Sequence, residues 1–118
     1  MEIKHKIWLE KDGKVFFGSG RGALFKAILK HHSINAALKK EAGMDMSYRA
    51  AWGRLKASQE RLGIQLVSSE NKRIGTELTK EGEALMMFFE KLDAKVEALL
   101  SDATQELLAV FDESKKRG

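Results

Sequence analysis

Residues 3–10 alternate between two faces, which is the pattern of a half-buried strand, and Ile3, Ile7 and Leu9 share one face with His5. The dipeptide that follows, Asp12-Gly13, supplies the two positive-φ positions of a tight hairpin turn. Residues 15–17, Val-Phe-Phe, then favour a second strand. The pattern therefore predicts an N-terminal β-hairpin over residues 3–17.

A glycine-rich stretch at residues 18–22 separates this hairpin from a segment with helical spacing. The apolar face of that predicted helix consists of Leu24, Phe25, Ile28 and Leu29. Glycines before a helix can hold a phosphate, but no Gly-Lys-Ser/Thr follows and the GxGxxG nucleotide pattern is absent. We interpret the stretch as a strand-to-helix turn, with a backbone contact to a DNA phosphate as the alternative.

Two capped helices are predicted next. Ser33 occupies an N-cap position before a helix of small residues that ends near Ala42-Gly43. Ser47 caps a helix from Tyr48 to about Leu62, and Gly63 follows it as the natural C′ residue. Residues 65–68 and 76–78 then predict two short strands around a polar, basic tip, and Thr79 caps the last helix.

The last helix is predicted from Lys80 to about Phe111, and its apolar residues follow a heptad spacing. The predicted dimer interface consists of Leu85, Phe89, Leu92, Val96, Leu99, Ala103 and Leu107. This stripe is longer than a small domain needs to cover its own core. It favours pairing with a second copy of the chain, and the alternative is packing within the chain.

The net charge of the sequence changes sign where the last helix is predicted to begin, between residues 79 and 80. Residues 1–79 contain 15 lysines and arginines and 8 acidic residues, a net charge of +7, whereas residues 80–118 contain 6 and 9, a net charge of −3. A basic segment is typical of a protein that meets a polyanion. We predict a DNA-binding region over 1–79 and a dimerisation helix over 80–118, within a single domain.

The order of elements predicts a mostly α winged helix-turn-helix with a small β wing, an N-terminal β-hairpin and a long C-terminal dimerisation helix. The predicted DNA-binding residues are Ser33, Asn35, Ser47, Tyr48, Arg49, Gly53, Arg54, Lys56, Lys72 and Arg73. Arg49 is expected to contact guanine or phosphate, Arg54 and Lys56 the DNA backbone, and the last two residues the minor groove. The rings of Tyr48 and Trp52 are interpreted as core, and Arg61 and Lys39-Lys40 as solvated surface.

Other function classes find little support in the composition. The chain has no cysteine, and its histidines lack metal-ligand spacing, so we expect no metal, no cofactor and no enzymatic activity. The N-terminus has no apolar core typical of a signal peptide. The longest apolar run, residues 84–89, is far shorter than a bilayer requires. We therefore expect a cytoplasmic protein without a membrane partner.

Five runs of residues together resemble one family of regulators. The runs Phe17–Arg21, Ser33–Ala37, Met46–Trp52, Leu66–Val67 and Leu78–Gly82 are similar to the N-terminal DNA-binding domain of ModE-type molybdate-responsive regulators, and more loosely to LysR-type regulators. The resemblance implies a winged helix, binding to double-stranded DNA and a homodimer. It covers about residues 8–92.

This chain departs from the family pattern in three places. It ends about 35 residues after Gly82, where the family continues into molybdate-binding domains, so molybdate sensing is not expected. Its wing tip is shorter and more charged, and the connection at residues 39–45 is about two residues longer. The lack of an effector domain and the acidic last helix leave one alternative function open. In that alternative, the chain is a protein-interaction module on the same scaffold without DNA readout.

Overall fold

A computed structural model describes residues 1–41, 44–69 and 75–117 of the chain, with the backbone alone for 113–117. The elements in chain order are β1 (Trp8–Lys11), β2 (Lys14–Gly18), α1 (Ser19–His31), α2 (Ile34–Lys40), α3 (Tyr48–Leu62), β3 (Val67–Ser68), β4 (Glu77–Leu78) and α4 (Lys80–Arg117). The strands form two antiparallel pairs, β1 with β2 and β3 with β4. The prediction of a mostly helical protein with a small hairpin and a long C-terminal helix is thus confirmed.

The N-terminal hairpin is shorter than predicted. Its turn has the expected positive φ angles, 52° at Asp12 and 78° at Gly13. Trp8 pairs with Gly18, the last residue of β2, so no partner strand remains for residues 3–7. The prediction of a strand over those residues is wrong, because a strand extends only as far as its partner.

The predicted helix caps are confirmed for α2 and α3. The hydroxyl oxygen of Ser33 accepts a hydrogen bond from the backbone N–H of Ala36 at 3.2 Å, and that of Ser47 from Ala50 at 3.1 Å. Gly63 ends α3 with a φ of 68°. Helix α2 ends at Lys40, and residues 42–43, where we predicted its end, lie outside the described residues.

One compact unit comprises Trp8–Phe89. At its centre the ring of Phe17 makes edge-to-face contacts with Phe25 and with Phe89, and both centroid distances are 5.1 Å. The fully buried residues around these rings are Leu24, Ile28, Leu55, Leu66 and Val67. Aromatic and aliphatic burial of this kind supplies most of the stability of a small domain.

The base of the β3–β4 pair is held by the side chain of Gln59 and by the backbone N–H of Thr79. The carboxamide oxygen of Gln59 in α3 accepts hydrogen bonds from the N–H groups of Leu66 and Val67 at 2.8 and 3.0 Å. The carbonyl of Leu66 accepts from the N–H of Thr79 at 2.9 Å. Strand β3 begins at Val67 rather than at the predicted residue 65.

A second unit comprises Met1–Ile7 and the residues of α4 from Glu90 on. Within it, the ring of His5 lies between two carboxylates: its Nε2 is 2.9 Å from Asp93 Oδ1 and its Nδ1 is 3.3 Å from Glu97 Oε2. Ile3, His5 and Ile7 are half-buried and the residues between them are exposed. The alternation in the sequence therefore reflects burial against a helix instead of strand pairing.

Replacing Ser58 with alanine should lower the free energy of unfolding by about 1–2 kcal/mol. Ser58 is fully buried, and its hydroxyl donates to the Phe16 carbonyl oxygen at 2.6 Å, with the Arg54 carbonyl oxygen at 3.1 Å. Removing the donor leaves the Phe16 carbonyl unsatisfied. Urea denaturation measures the effect, and Ser101→Ala on the exposed surface of α4 is the control. Equal losses in the two variants would contradict this account.

Candidate nucleic-acid interface

Helix α3 exposes a basic stripe along its first half. The helix buries Ala51, Leu55 and Ser58, so the residues on the opposite side face solvent. Those exposed residues are Arg49, Gly53, Lys56 and Glu60. Among the described residues, no atom outside the neighbouring helix backbone lies within 4 Å of the position that a Cβ of Gly53 would occupy, so the backbone there is open to a ligand. The charge of the stripe is positive up to Lys56 and changes sign only at its end.

The side chains of Tyr48 and Trp52 lie at the edge of this stripe, and their interpretation as core residues is wrong. Tyr48 is 50% exposed and Trp52 is 38% exposed. The buried face of α3 is narrower than the apolar pattern suggested, because its small residues Ala51 and Ser58 allow close packing. Trp52 is a candidate nucleic-acid contact that is missing from the DNA-binding residues predicted from the sequence. The small residues on the buried side were the signal that could have revealed it.

The remaining predicted contact residues have mixed positions. The hydroxyls of Ser33 and Ser47 cap α2 and α3 and are thereby held at the start of each helix. Asn35 is exposed on α2. Lys72 and Arg73, predicted at the tip between β3 and β4, lie outside the described residues.

Arg21, Arg54 and Arg61 lie together where α1 meets α3. The Nε–H of Arg21 donates to the Arg54 carbonyl oxygen at 3.3 Å, and a guanidinium N–H of Arg61 donates to the Val15 carbonyl oxygen. Burial lowers the pKa of the Arg21 guanidinium, and the positive charges of Arg61 and Arg54 lower it further. The guanidinium nevertheless stays charged at neutral pH. Arg61 is half-buried and bonded, so its interpretation as solvated surface is wrong, whereas Lys39 and Lys40 are exposed as predicted.

No protein-family model matches the chain, and no curated protein matches its sequence. Function is therefore inferred from the chemistry of its own residues.

The side chain of His31, in the compact unit, has local structural partners. His31 Nε2 lies 2.9 Å from Glu41 Oε1, and Lys30 Nζ lies 3.6 Å from the same oxygen. The hydrogen bond with His31 holds the pKa of the Glu41 carboxyl below its ordinary value.

Across residues 1–41, 44–69 and 75–117, no group of three or more histidine, aspartate or glutamate side chains is placed to hold a metal ion. No helix in this part of the chain is long and apolar enough to cross a membrane.

The predicted dimer interface is distributed over both units. Leu85 is half-buried in the unit Trp8–Phe89, and Phe89 is only 7% exposed because its ring packs on Phe17. In the other unit Leu99 is 66% exposed. The half-buried members there are Leu92, Val96, Ala103 and Leu107. Among the predicted interface residues, Leu99 is therefore the exposed one, and it lies in α4 beyond Glu90.

Proposed function

We propose that this chain is a sequence-specific, double-stranded DNA-binding transcriptional regulator that acts as a homodimer. The observation that carries the proposal is the exposed basic stripe on the first half of α3, formed by Arg49, Gly53 and Lys56. A helix that presents such a stripe fits the major groove of B-DNA in width and in charge. The sequence resemblance to the DNA-binding domain of ModE-type regulators supports the same conclusion, and we propose membership of that winged-helix family.

In this proposal α2 and α3 form the helix-turn-helix. The fully buried residues Ala37 in α2 and Ala51 in α3 have small side chains, which allow two helices to approach closely. Helix α3 then enters the major groove with its N-terminal half, where Arg49 donates to the edge of a guanine. Lys56 neutralises a phosphate, and the exposed face of Trp52 offers an apolar contact for a thymine methyl group.

The strands β3 and β4 form the wing of the proposed fold. The hydrogen bonds from the N–H groups of Leu66 and Val67, at the start of β3, to Gln59 link the wing to α3. The segment between the strands includes Lys72 and Arg73, which we propose contact the minor groove. Proteins that insert basic side chains there read its width and its A·T content.

The homodimer is proposed to form through α4 beyond Glu90. Leu99 and Val110 are exposed there and lie on one side of the helix with the half-buried Leu92 and Val96. The N-terminal segment is bonded to Asp93, on a different side of the helix. An apolar stripe on a long helix, with some of its residues exposed, is typical of a coiled-coil contact. Two copies joined in this way would read two half-sites about one helical turn apart.

The variant Arg49→Ala should weaken binding to the preferred duplex by about 1–3 kcal/mol and relax the preference at one base pair. Truncation removes a bidentate donor from a base edge while α3 stays folded, because Arg49 is exposed. The preferred duplex is first selected from random sequences, and fluorescence anisotropy then measures both affinities. Lys91→Ala, a change of exposed charge on α4, is the matched control.

Two results would count against parts of this proposal. If Arg49→Ala bound preferred and random duplex as tightly as the parent, α3 would not be the recognition helix. If the parent bound no duplex even at low salt, where electrostatic binding is strongest, the protein-interaction module would be the better description.

A further inference from the structure

The three arginines Arg21, Arg54 and Arg61, which lie where α1 meets α3, are not explained by the basic stripe. Arg54 lies five residues after Arg49 on α3, which places the two side chains about 140° apart around the helix. Its backbone carbonyl instead accepts the hydrogen bond of Arg21, in the first turn of α1. Arg54 thus belongs to a second positive surface, on the flank of α3 beside α1.

This arginine cluster has no acidic partner among residues 1–41, 44–69 and 75–112. None of Arg21, Arg54 and Arg61 forms an ion pair with a carboxylate in that part of the chain. Asp12 and Glu60 line a groove next to Arg61 without reaching ion-pairing distance. Clustering like charges without a counterion costs free energy, and a bound anion would recover it.

The backbone at the same place is also suited to an anion. Helix α1 begins after Gly18, which provides no side-chain cap, and its first turn contains no acidic residue. A Cβ on Gly20 would lie 3.8 Å from a guanidinium nitrogen of Arg54, so that guanidinium lies over the start of the helix. The N–H groups of a helix start favour negative charge, and here they add to an arginine cluster that already requires it.

We propose that Arg21 and Arg54, together with the backbone at Gly20, form a binding site for a phosphate oxyanion. On the proposed function, from which this inference draws its ligand, the phosphate belongs to the DNA backbone outside the base pairs that Arg49 reads. A guanidinium is suited to phosphate because its planar fork donates two parallel hydrogen bonds. Such a contact fixes the register of α3 on the duplex without reading sequence.

The test is the salt dependence of duplex binding by Arg21→Gln. One lost phosphate contact should reduce the magnitude of the slope of log affinity against log salt by about 1. At about 0.1 M salt this corresponds to an affinity roughly eightfold lower, equally for preferred and random duplex. Arg21→Lys keeps the charge and should keep the slope of the parent. Lys91→Gln, which removes one exposed charge from α4, should bind as the parent does.

A second measurement separates a DNA phosphate from a free anion. NMR of the arginine side chains follows the Arg21 Nε–H signal while inorganic phosphate, or duplex DNA, is added to the parent. Circular dichroism verifies that each variant is folded. The proposed contact with a DNA phosphate is supported by two results together: duplex DNA shifts this signal, and Arg21→Gln reduces the slope of log affinity against log salt.

The proposed contact with a DNA phosphate is overturned if a folded Arg21→Gln variant keeps the parent's affinity for duplex DNA and its slope of log affinity against log salt. This holds whether or not inorganic phosphate shifts the signal. A shift with inorganic phosphate alone would identify a site for a free anion. If the parent binds no duplex, the proposed function fails, and the titration with inorganic phosphate still decides whether the cluster is an anion site.

Discussion

Gly82→Ala should lower the free energy of unfolding by about 3 kcal/mol or more. Gly82 is buried in the first turn of α4, and a Cβ there would overlap the carbonyl oxygen of Leu66. That carbonyl is fixed, since it accepts the N–H of Thr79 at 2.9 Å. A backbone atom cannot move aside as the end of a side chain can. Thermal and urea denaturation would measure the loss.

Gly53→Ala is the matched control for this variant. Gly53 is also a glycine within a helix, but it is exposed, and in the described part of the chain only the neighbouring helix backbone lies within 4 Å of its Cβ position. Alanine there should raise the free energy of unfolding by about 0.5–1 kcal/mol, because glycine costs more backbone entropy in a helix. The same substitution, glycine to alanine, should therefore lower the free energy of unfolding at Gly82 and raise it at Gly53. A Gly82→Ala variant as stable as the parent would show that α4 does not begin against Leu66.

Leu99→Asp should raise the dissociation constant of the proposed homodimer by about 100-fold or more. Leu99 is 66% exposed within one chain, so the substitution should leave the fold of the monomer intact. In a paired stripe the leucines of both copies are buried, at about 1.5–3 kcal/mol each, and two aspartates would face each other instead. Sedimentation equilibrium over a concentration series measures the dissociation constant directly.

Ala94→Asp provides the same change of charge on the far side of α4. Ala94 is exposed and lies about 140° around the helix from Leu99, so its substitution should leave the dimer intact. Dissociation by both variants would indicate a general effect of charge and not a specific interface. A parent that sediments as a monomer at roughly 50 µM would end the dimer proposal.

Short-range signals predicted the elements well. Ser33 and Ser47 cap helices because their hydroxyls reach a backbone N–H three residues ahead, which requires no tertiary structure. The turn at Asp12-Gly13 follows in the same way from local φ preferences. The long helix α4 was evident from a spacing that continues over many turns.

Features that depend on a distant partner were predicted less well. Residues 3–7 carry the alternation of a strand, but they lie outside the strand pairing, and His5 bonds to a residue 88 positions away. Trp52 belongs to the apolar pattern of α3, yet α3 packs through its smaller residues and leaves that ring exposed. The association of Arg21 with Arg54 spans 33 positions, and nothing in either local sequence indicates it.

One oxygen atom has consequences for how the protein would meet a duplex. Gln59 Oε1 receives two backbone N–H groups from the chain that leads into β3, so the base of the hairpin is bonded directly to α3. Such a joint leaves little freedom for the hairpin to adjust separately from the helix. On the proposed function, the distance between the major and minor grooves of a DNA site would therefore affect how tightly the protein binds it. DNA sites that need little bending or twisting to contact both α3 and the hairpin would be bound more tightly than sites that need more.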